Sequence, residues 1–240
     1  MTPFLIFDAY GTLVELDDFY GRLQRGFATH DVELPLAAVR HAARCEMRYY
    51  IANVLRACIH DAWLAVRREC ALVLRDAIRE QGHPLDLPPE TLLQILGDAI
   101  VFHVFSEVRE VLEALHQRGI AMGVMSNWDY QLPRIFEALK LDGFFNFIGS
   151  SCEAGAEKPA PPFFAFGLQR ARAVRPDLMP QECFYIGDHY QKDVLPARAA
   201  GMTPLWLVRD LRDVASGDVH EAQDPVVRLQ TLRDLIPLFP

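Results

Sequence analysis

Five short stretches hold the side chains best suited to chemistry: Asp8, the pair Ser126-Asn127, Lys158, Asp188 and Asp193. A carboxylate can attack an electrophile or hold a cation, hydroxyl and amide groups can donate hydrogen bonds to an anion, and an ammonium can neutralise one. Asp8 follows the apolar run Phe4-Leu-Ile-Phe7, Ser126-Asn127 follow residues 121–125, and Asp188 comes just after residues 184–186. Each stands where a strand is expected to run out. Ser126 to Lys158 is 32 residues and Lys158 to Asp188 is 30, whereas Asp8 to Ser126 is 118. The first two intervals are each close to one βαβ unit. In open α/β sheets ligands bind beyond the carboxyl ends of the strands, so these residues are expected to converge on one site.

The elements that must position them follow from the apolar pattern. Beyond Phe105 helices and strands alternate. Helices are expected over residues 106–118, 131–139, 162–172 and 193–200, and strands over 120–125, 144–149, 183–186 and 203–208. Continuous apolar strands separated by helices imply a parallel sheet covered on both faces, a doubly wound α/β core. From about residue 15 to 97 the period is helical instead, with Val39, Ala42, Ala43, Met47 and Tyr50 on one stripe and Trp63, Val66, Cys70, Val73 and Leu74 on another. No strand is expected in that stretch. It accounts for the excess between Asp8 and Ser126, which makes it an insertion after the first strand. The chain therefore reads as a core of residues 1–14 and 98–240 with a helical insertion at 15–97. The tail from Asp210 reads as a loop followed by a docking helix built on Leu229, Leu232, Leu235, Ile236, Leu238 and Phe239.

Composition narrows the function classes. The net charge is −8 without a polybasic run, so nucleic acid is not an expected partner. Asp98 and His103 interrupt the longest apolar stretch, well short of the 18 or so residues of a spanning helix, so no membrane association is expected. The first apolar run lacks a basic flank and does not read as an export signal. Five cysteines at irregular spacings, with no C-x-x-C pair, fit reduced thiols in a cytoplasmic protein. A small-molecule substrate and a monomer or homodimer complete the expectation.

Asp8-Ala-Tyr-Gly-Thr12, Ser126-Asn127, Lys158-Pro159 and Gly187-Asp188 through Asp193, in that order, resemble the four motifs of the haloacid dehalogenase-like (HAD) hydrolase superfamily. The likeness runs along the whole chain, and the helical insertion is similar to that family's cap. The resemblance implies a Rossmann-like core, Asp8 as nucleophile in a loop that closes at Thr12, Ser126 and Asn127 as donors to the substrate anion, and Lys158 as the neutralising cation. It also implies Mg²⁺ as cofactor, held by Asp8, Asp188 and the carbonyl of Tyr10, with Asp193 holding a ligand water or Lys158. Asp193 also reads as a helix-capping carboxylate, and His189 as a loop histidine.

Two departures pull the functional reading apart. The phosphatases of the superfamily carry a second aspartate, a general acid and base, two residues after the nucleophile; here that residue is Tyr10. The spelling Asp-Ala-Tyr-Gly-Thr resembles the 2-haloacid dehalogenase branch, which needs no metal, and residues 44–50 resemble its substrate-binding helix, making Arg44 a candidate substrate contact. Against this, Gly187-Asp188 is similar to the metal loop of the phosphatases, and Phe164 stands where the dehalogenases place a tyrosine. Three readings follow: a Mg²⁺-dependent phosphatase-type hydrolase of a small phosphorylated metabolite, a 2-haloacid dehalogenase, or a catalytically weak binding or regulatory member. The metal loop puts the phosphatase first, because Asp8 and Asp188 cannot both ionise cheaply at close range without a cation.

Overall fold

A computed structural model describes residues 3–209 and 225–240. The chain divides into two compact units, Met1–Glu15 with Val104–Pro240, and Leu16–His103.

The first unit is built on strand β1 (Phe4–Phe7), whose four residues are fully buried. A strand apolar on both faces has to lie inside a sheet, and β1 lies at the centre of six parallel strands. Along the chain these are β1, β4 (Ala121–Ser126), β5 (Phe147–Ser150), β6 (Cys183–Gly187), β7 (Thr203–Leu207) and β8 (Val227–Leu229), in the spatial order β5-β4-β1-β6-β7-β8. Two short strands numbered between them, β2 (Val14–Leu16) and β3 (Phe102–Val104), pair separately. Phe4 to Phe7 register with Ala121 to Val124 on one side and with Cys183 to Ile186 on the other. The strand order reverses at β1, so the carboxyl ends of β1, β4 and β6 surround a topological switch point, the place where such sheets bind ligands. Phe4, Ile6, Met125, Phe163, Phe164 and Tyr185 pack in one cluster of its core.

The second unit holds the four-helix run α1 (Phe19–Ala28), α2 (Leu36–Asn53), α3 (His60–Glu80) and α4 (Pro89–Ala99). Phe27, Val39, Ala43, Cys70, Leu74 and Leu96 are buried in its own core. Met47 and Tyr50 of the expected stripe are only half-buried, while Glu46, just before Met47, is 3% exposed and pairs with Arg67 at 3.5 Å. Burial raises the Glu46 pKa against the pull of Arg67.

The remaining helices of the first unit are α5 (Val108–Gln117), α6 (Leu132–Ala138), α7 (Ser151–Ala154), α8 (Pro161–Val174), α9 (Leu195–Ala199) and α10 (Leu235–Leu238). Three local expectations change. Leu16 and residues 102–104 form strand rather than helix or loop, because each needs only a neighbouring strand, not an apolar period, to pair. The helix expected from Asp193 is a π-helical turn, Tyr190–Val194, followed by the short α9. Leu229 lies in β8, the sixth strand, and beyond it come only a 3-10 turn, Leu232–Asp234, and the short helix Leu235–Leu238; the rest of the expected loop, residues 210–224, lies outside the described residues. Of the five cysteines expected to be reduced, Cys45, Cys70 and Cys183 are free thiols. Among the described residues no helix is long and apolar enough to cross a membrane.

Candidate active site

The loop after β1 carries Asp8 into the switch point. Its backbone N–H donates to Ile186 O at 2.8 Å, so Asp8 stays tied to the sheet after the strand has ended. The chain then winds into a tight turn in which Ala9 O accepts from the N–H groups of Thr12, Leu13 and Val14. Gly11 within it has φ +78°, a left-handed conformation that glycine adopts without strain. A Cβ at Gly11 would lie 2.3 Å from Asp188 Oδ2, so the loop after β1 and the loop after β6 meet where a side chain cannot fit.

Lys158 joins the two acidic loops. Its Nζ lies 2.7 Å from Asp8 Oδ1 and 2.7 Å from Asp193 Oδ1, and the three side chains are at most 6% exposed. The backbone of Lys158 is held by Asn127, whose Oδ1 accepts from Lys158 N at 2.7 Å and whose Nδ2 donates to Lys158 O at 3.3 Å. Asn127 is therefore committed to placing the lysine. Ser126, the last residue of β4, is 2% exposed. Asp193 is held as well, for its Oδ2 accepts from His189 N at 2.9 Å. With both oxygens engaged and the residue inside a π-turn, the helix-capping reading of Asp193 gives way to one in which it holds Lys158.

Asp8, Asp188 and Asp193 each bring a carboxylate oxygen within 4.8 Å of the others. Burial works against charge on Lys158, but Asp193 and then Asp8 outweigh it and raise its pKa well above the usual lysine range. Asp188 keeps part of its surface exposed, yet its packed surroundings, followed by the charges of Asp8 and Asp193, push its carboxyl well above the usual range. Asp193 is raised too, by burial first, with Lys158 pulling the other way. Three carboxylates facing one ammonium leave negative charge uncompensated. Asp8 Oδ1 is buried, with Lys158 Nζ as its 2.7 Å ion-pair partner. An all-oxygen donor set of three clustered carboxylates against one ammonium fits a hard divalent cation such as Mg²⁺.

The other expected residues fall in different places. Thr12 is fully buried, and among the described residues its hydroxyl has no hydrogen-bond partner. Tyr10 is half-buried and forms an isolated bridge with Val14. Arg44 is an exposed residue of α2, in the other unit. His189 contributes its backbone N–H to Asp193. Tyr185, which a strand reading passes over as a core aromatic, lies beneath the lysine: its ring centre is 5.9 Å from Lys158 Nζ and its hydroxyl donates to Met125 O at 2.8 Å. The one trace of it in the sequence is a hydroxyl on an otherwise apolar strand.

Comparison with known proteins gives three kinds of relative. A family model described as haloacid dehalogenase-like hydrolase matches residues 4–201. Haloacid dehalogenase-like hydrolase domain-containing protein 3 of Danio rerio is 33% identical over 108 residues, 45% of this chain and 43% of that protein. A phosphoserine phosphatase of Thermus thermophilus is 29% identical over 170 residues, 67% of this chain and 65% of that protein. The chain thus spans about half the length of the curated relatives it matches. Among solved structures, YfnB from Bacillus subtilis bound to magnesium superposes with a TM-score of 0.70 at 16% identity, covering 99% of this chain and 98% of that one. The L-2-haloacid dehalogenase from Xanthobacter autotrophicus gives 0.69 at 18% identity with the same coverage. At such identities the likeness is one of fold.

Proposed function

The chain belongs to the haloacid dehalogenase-like hydrolase family, and on that premise we propose that it is a phosphatase-type hydrolase of a small phosphorylated metabolite, with Asp8 as nucleophile and Mg²⁺ as cofactor. The observation that carries the reading is the set Asp8, Asp188 and Asp193 around the single ammonium of Lys158. A dehalogenase acting without metal has no use for that surplus of carboxylates. The phosphoserine phosphatase activity named for the Thermus relative accords with it.

In this reading an Asp8 carboxylate oxygen attacks phosphorus, the ester oxygen departs, and water then hydrolyses the aspartyl phosphate. Lys158 offsets charge between Asp8 and the incoming phosphate, held in place by Asp193 and Asn127. Its pKa, raised well above the lysine range, keeps it charged at any pH of interest. Ser126 donates to the phosphate oxygens, and the turn that ends at Thr12 fixes the direction of Asp8. Asp8, Asp188 and the Tyr10 carbonyl would hold Mg²⁺, which when bound offsets the combined negative charge of substrate and carboxylates. The helical unit Leu16–His103 is read as the cap that selects the substrate.

One observation favours a second reading. Tyr10 stands where the phosphatases place their proton-transfer aspartate, and a halide, unlike an alkoxide, leaves without a proton. A 2-haloacid dehalogenase is the corresponding alternative. Assays of phosphate esters and 2-chloro acids, each with Mg²⁺ and with chelator, separate the two. The proposal expects phosphate release that chelation abolishes; dehalogenation that survives chelation overturns it.

A further inference from the structure

We infer that Trp206 and Arg209, at the carboxyl end of β7, are positioning residues that clamp the Asp188 loop and the nucleophile loop, each through a main-chain carbonyl, so that Asp8 and Asp188 stay within reach of one cation. The inference rests on the reading of the acid cluster as a cation site.

Two loops that each carry a carboxylate repel one another, and the Asp8 N–H to Ile186 O bond anchors only the start of the first. Further along that loop, Arg209 Nη2 donates to Thr12 O at 2.9 Å, across 197 residues of sequence. The guanidinium is fixed in turn. Nη2 lies 2.6 Å from Glu107 Oε1, with the side chains 12% and 7% exposed, and the planar group sits 3.8 Å over the Phe105 ring centre. Phe105 N donates to Leu13 O at 3.2 Å, so the same neighbour holds the next residue of the loop. An arginine suits this role because its flat, permanently charged fork serves a carbonyl and a carboxylate while stacking on an aromatic face. On the other loop, Trp206 Nε1 donates to Asp188 O at 3.0 Å. Trp206 registers with Gly187 on β6, and its ring packs 5.0 Å from that of Tyr190, inside the π-turn. The end of one strand thus reaches both acidic loops. Neither residue is visible in the motif pattern, since both act on backbone rather than substrate.

The test combines calorimetric Mg²⁺ titration, hydrogen exchange of the amides at 9–14 and 188–193, and steady-state kinetics on a phosphate ester. Arg209→Met should weaken Mg²⁺ binding and lower kcat by about tenfold each, with KM nearly unchanged, the loss expected for one charge-assisted hydrogen bond. Exchange should quicken at residues 11–14 and not across the sheet. Arg209→Lys should recover part of the loss, and Trp206→Phe, which keeps the ring and removes the donor, should quicken exchange at 188–193 and weaken Mg²⁺ binding in the same sense. If Arg209→Met does not fold, Arg209→Lys and Trp206→Phe decide the matter. Folded variants with wild-type Mg²⁺ affinity and loop exchange overturn the clamp, as does a uniform rise in exchange with unchanged affinity, which marks a role in global stability alone. Should the wild type neither bind Mg²⁺ nor hydrolyse phosphate esters, the functional reading fails. The exchange measurements on metal-free protein then decide the clamp by themselves.

Discussion

Asp188 leaves no room for a side chain at Gly11: a Cβ added to Gly11 would lie 2.3 Å from Asp188 Oδ2 and 2.8 Å from its Cγ. The glycine of the loop after β1 is thus required twice, by its left-handed backbone and by the carboxylate of the loop after β6. Gly11→Ala should cost about 1–2 kcal/mol from the backbone alone, and more from displacing Asp188. Thermal unfolding and Mg²⁺ titration check this. A variant with unchanged melting temperature and unchanged Mg²⁺ affinity would show that the two loops do not depend on that contact.

Asp8→Asn keeps the shape of the side chain and removes its nucleophilicity. Turnover should fall to background while circular dichroism remains that of the folded protein. Lys158, left with Asp193 as its nearest anion, should stay charged. Genuine turnover near the wild-type rate in this variant would rule out Asp8 as the attacking group.

The raised pKa of Asp188 gives Mg²⁺ binding a pH dependence of fixed sign. Burial and the neighbouring Asp8 and Asp193 charges favour its protonated form without metal, and a cation takes only the carboxylate, so binding releases a proton. Apparent affinity should rise with pH, by at most about tenfold per unit, until the raised pKa is passed. The same linkage makes Asp188 destabilise the metal-free fold as pH climbs from its unfolded value of 3.8 towards its raised folded one. Mg²⁺ should reverse that loss. Calorimetry in buffers of different ionisation heat measures the proton directly, and binding with no proton release between pH 5 and 7 would contradict the assignment.

Tyr10→Asp tests the physical account of the missing acid. General acid–base catalysis contributes about 10² to 10⁴ in rate, so even an imperfectly placed carboxylate should raise phosphate ester turnover roughly tenfold or more. The gain should be larger for alkyl phosphates than for nitrophenyl phosphate, whose leaving group scarcely needs a proton. No gain on alkyl phosphates in a folded, Mg²⁺-binding variant would mean that proton transfer at residue 10 is not what limits the reaction.

The sequence by itself determined the doubly wound core, because buried parallel strands must be continuously apolar and the runs at residues 4–7, 121–125 and 183–186 are. It also placed Asp8, Ser126, Asn127 and Asp188 near strand ends, since a polar residue closing such a run has few other places to be. What each of them touches was decided by the tertiary structure. Asn127 holds the backbone of Lys158, and Asp193 holds its ammonium instead of capping a helix, because contacts across 31 and 35 residues depend on how strands are ordered in space. The sixth strand was hidden for a related reason: Val227 and Arg228 are exposed, so an edge strand shows too little apolar pattern to be recognised. Tyr185, Trp206 and Arg209 were equally illegible. Only the fold brings a hydroxyl, an indole N–H and a guanidinium against the carbonyls of Met125, Asp188 and Thr12.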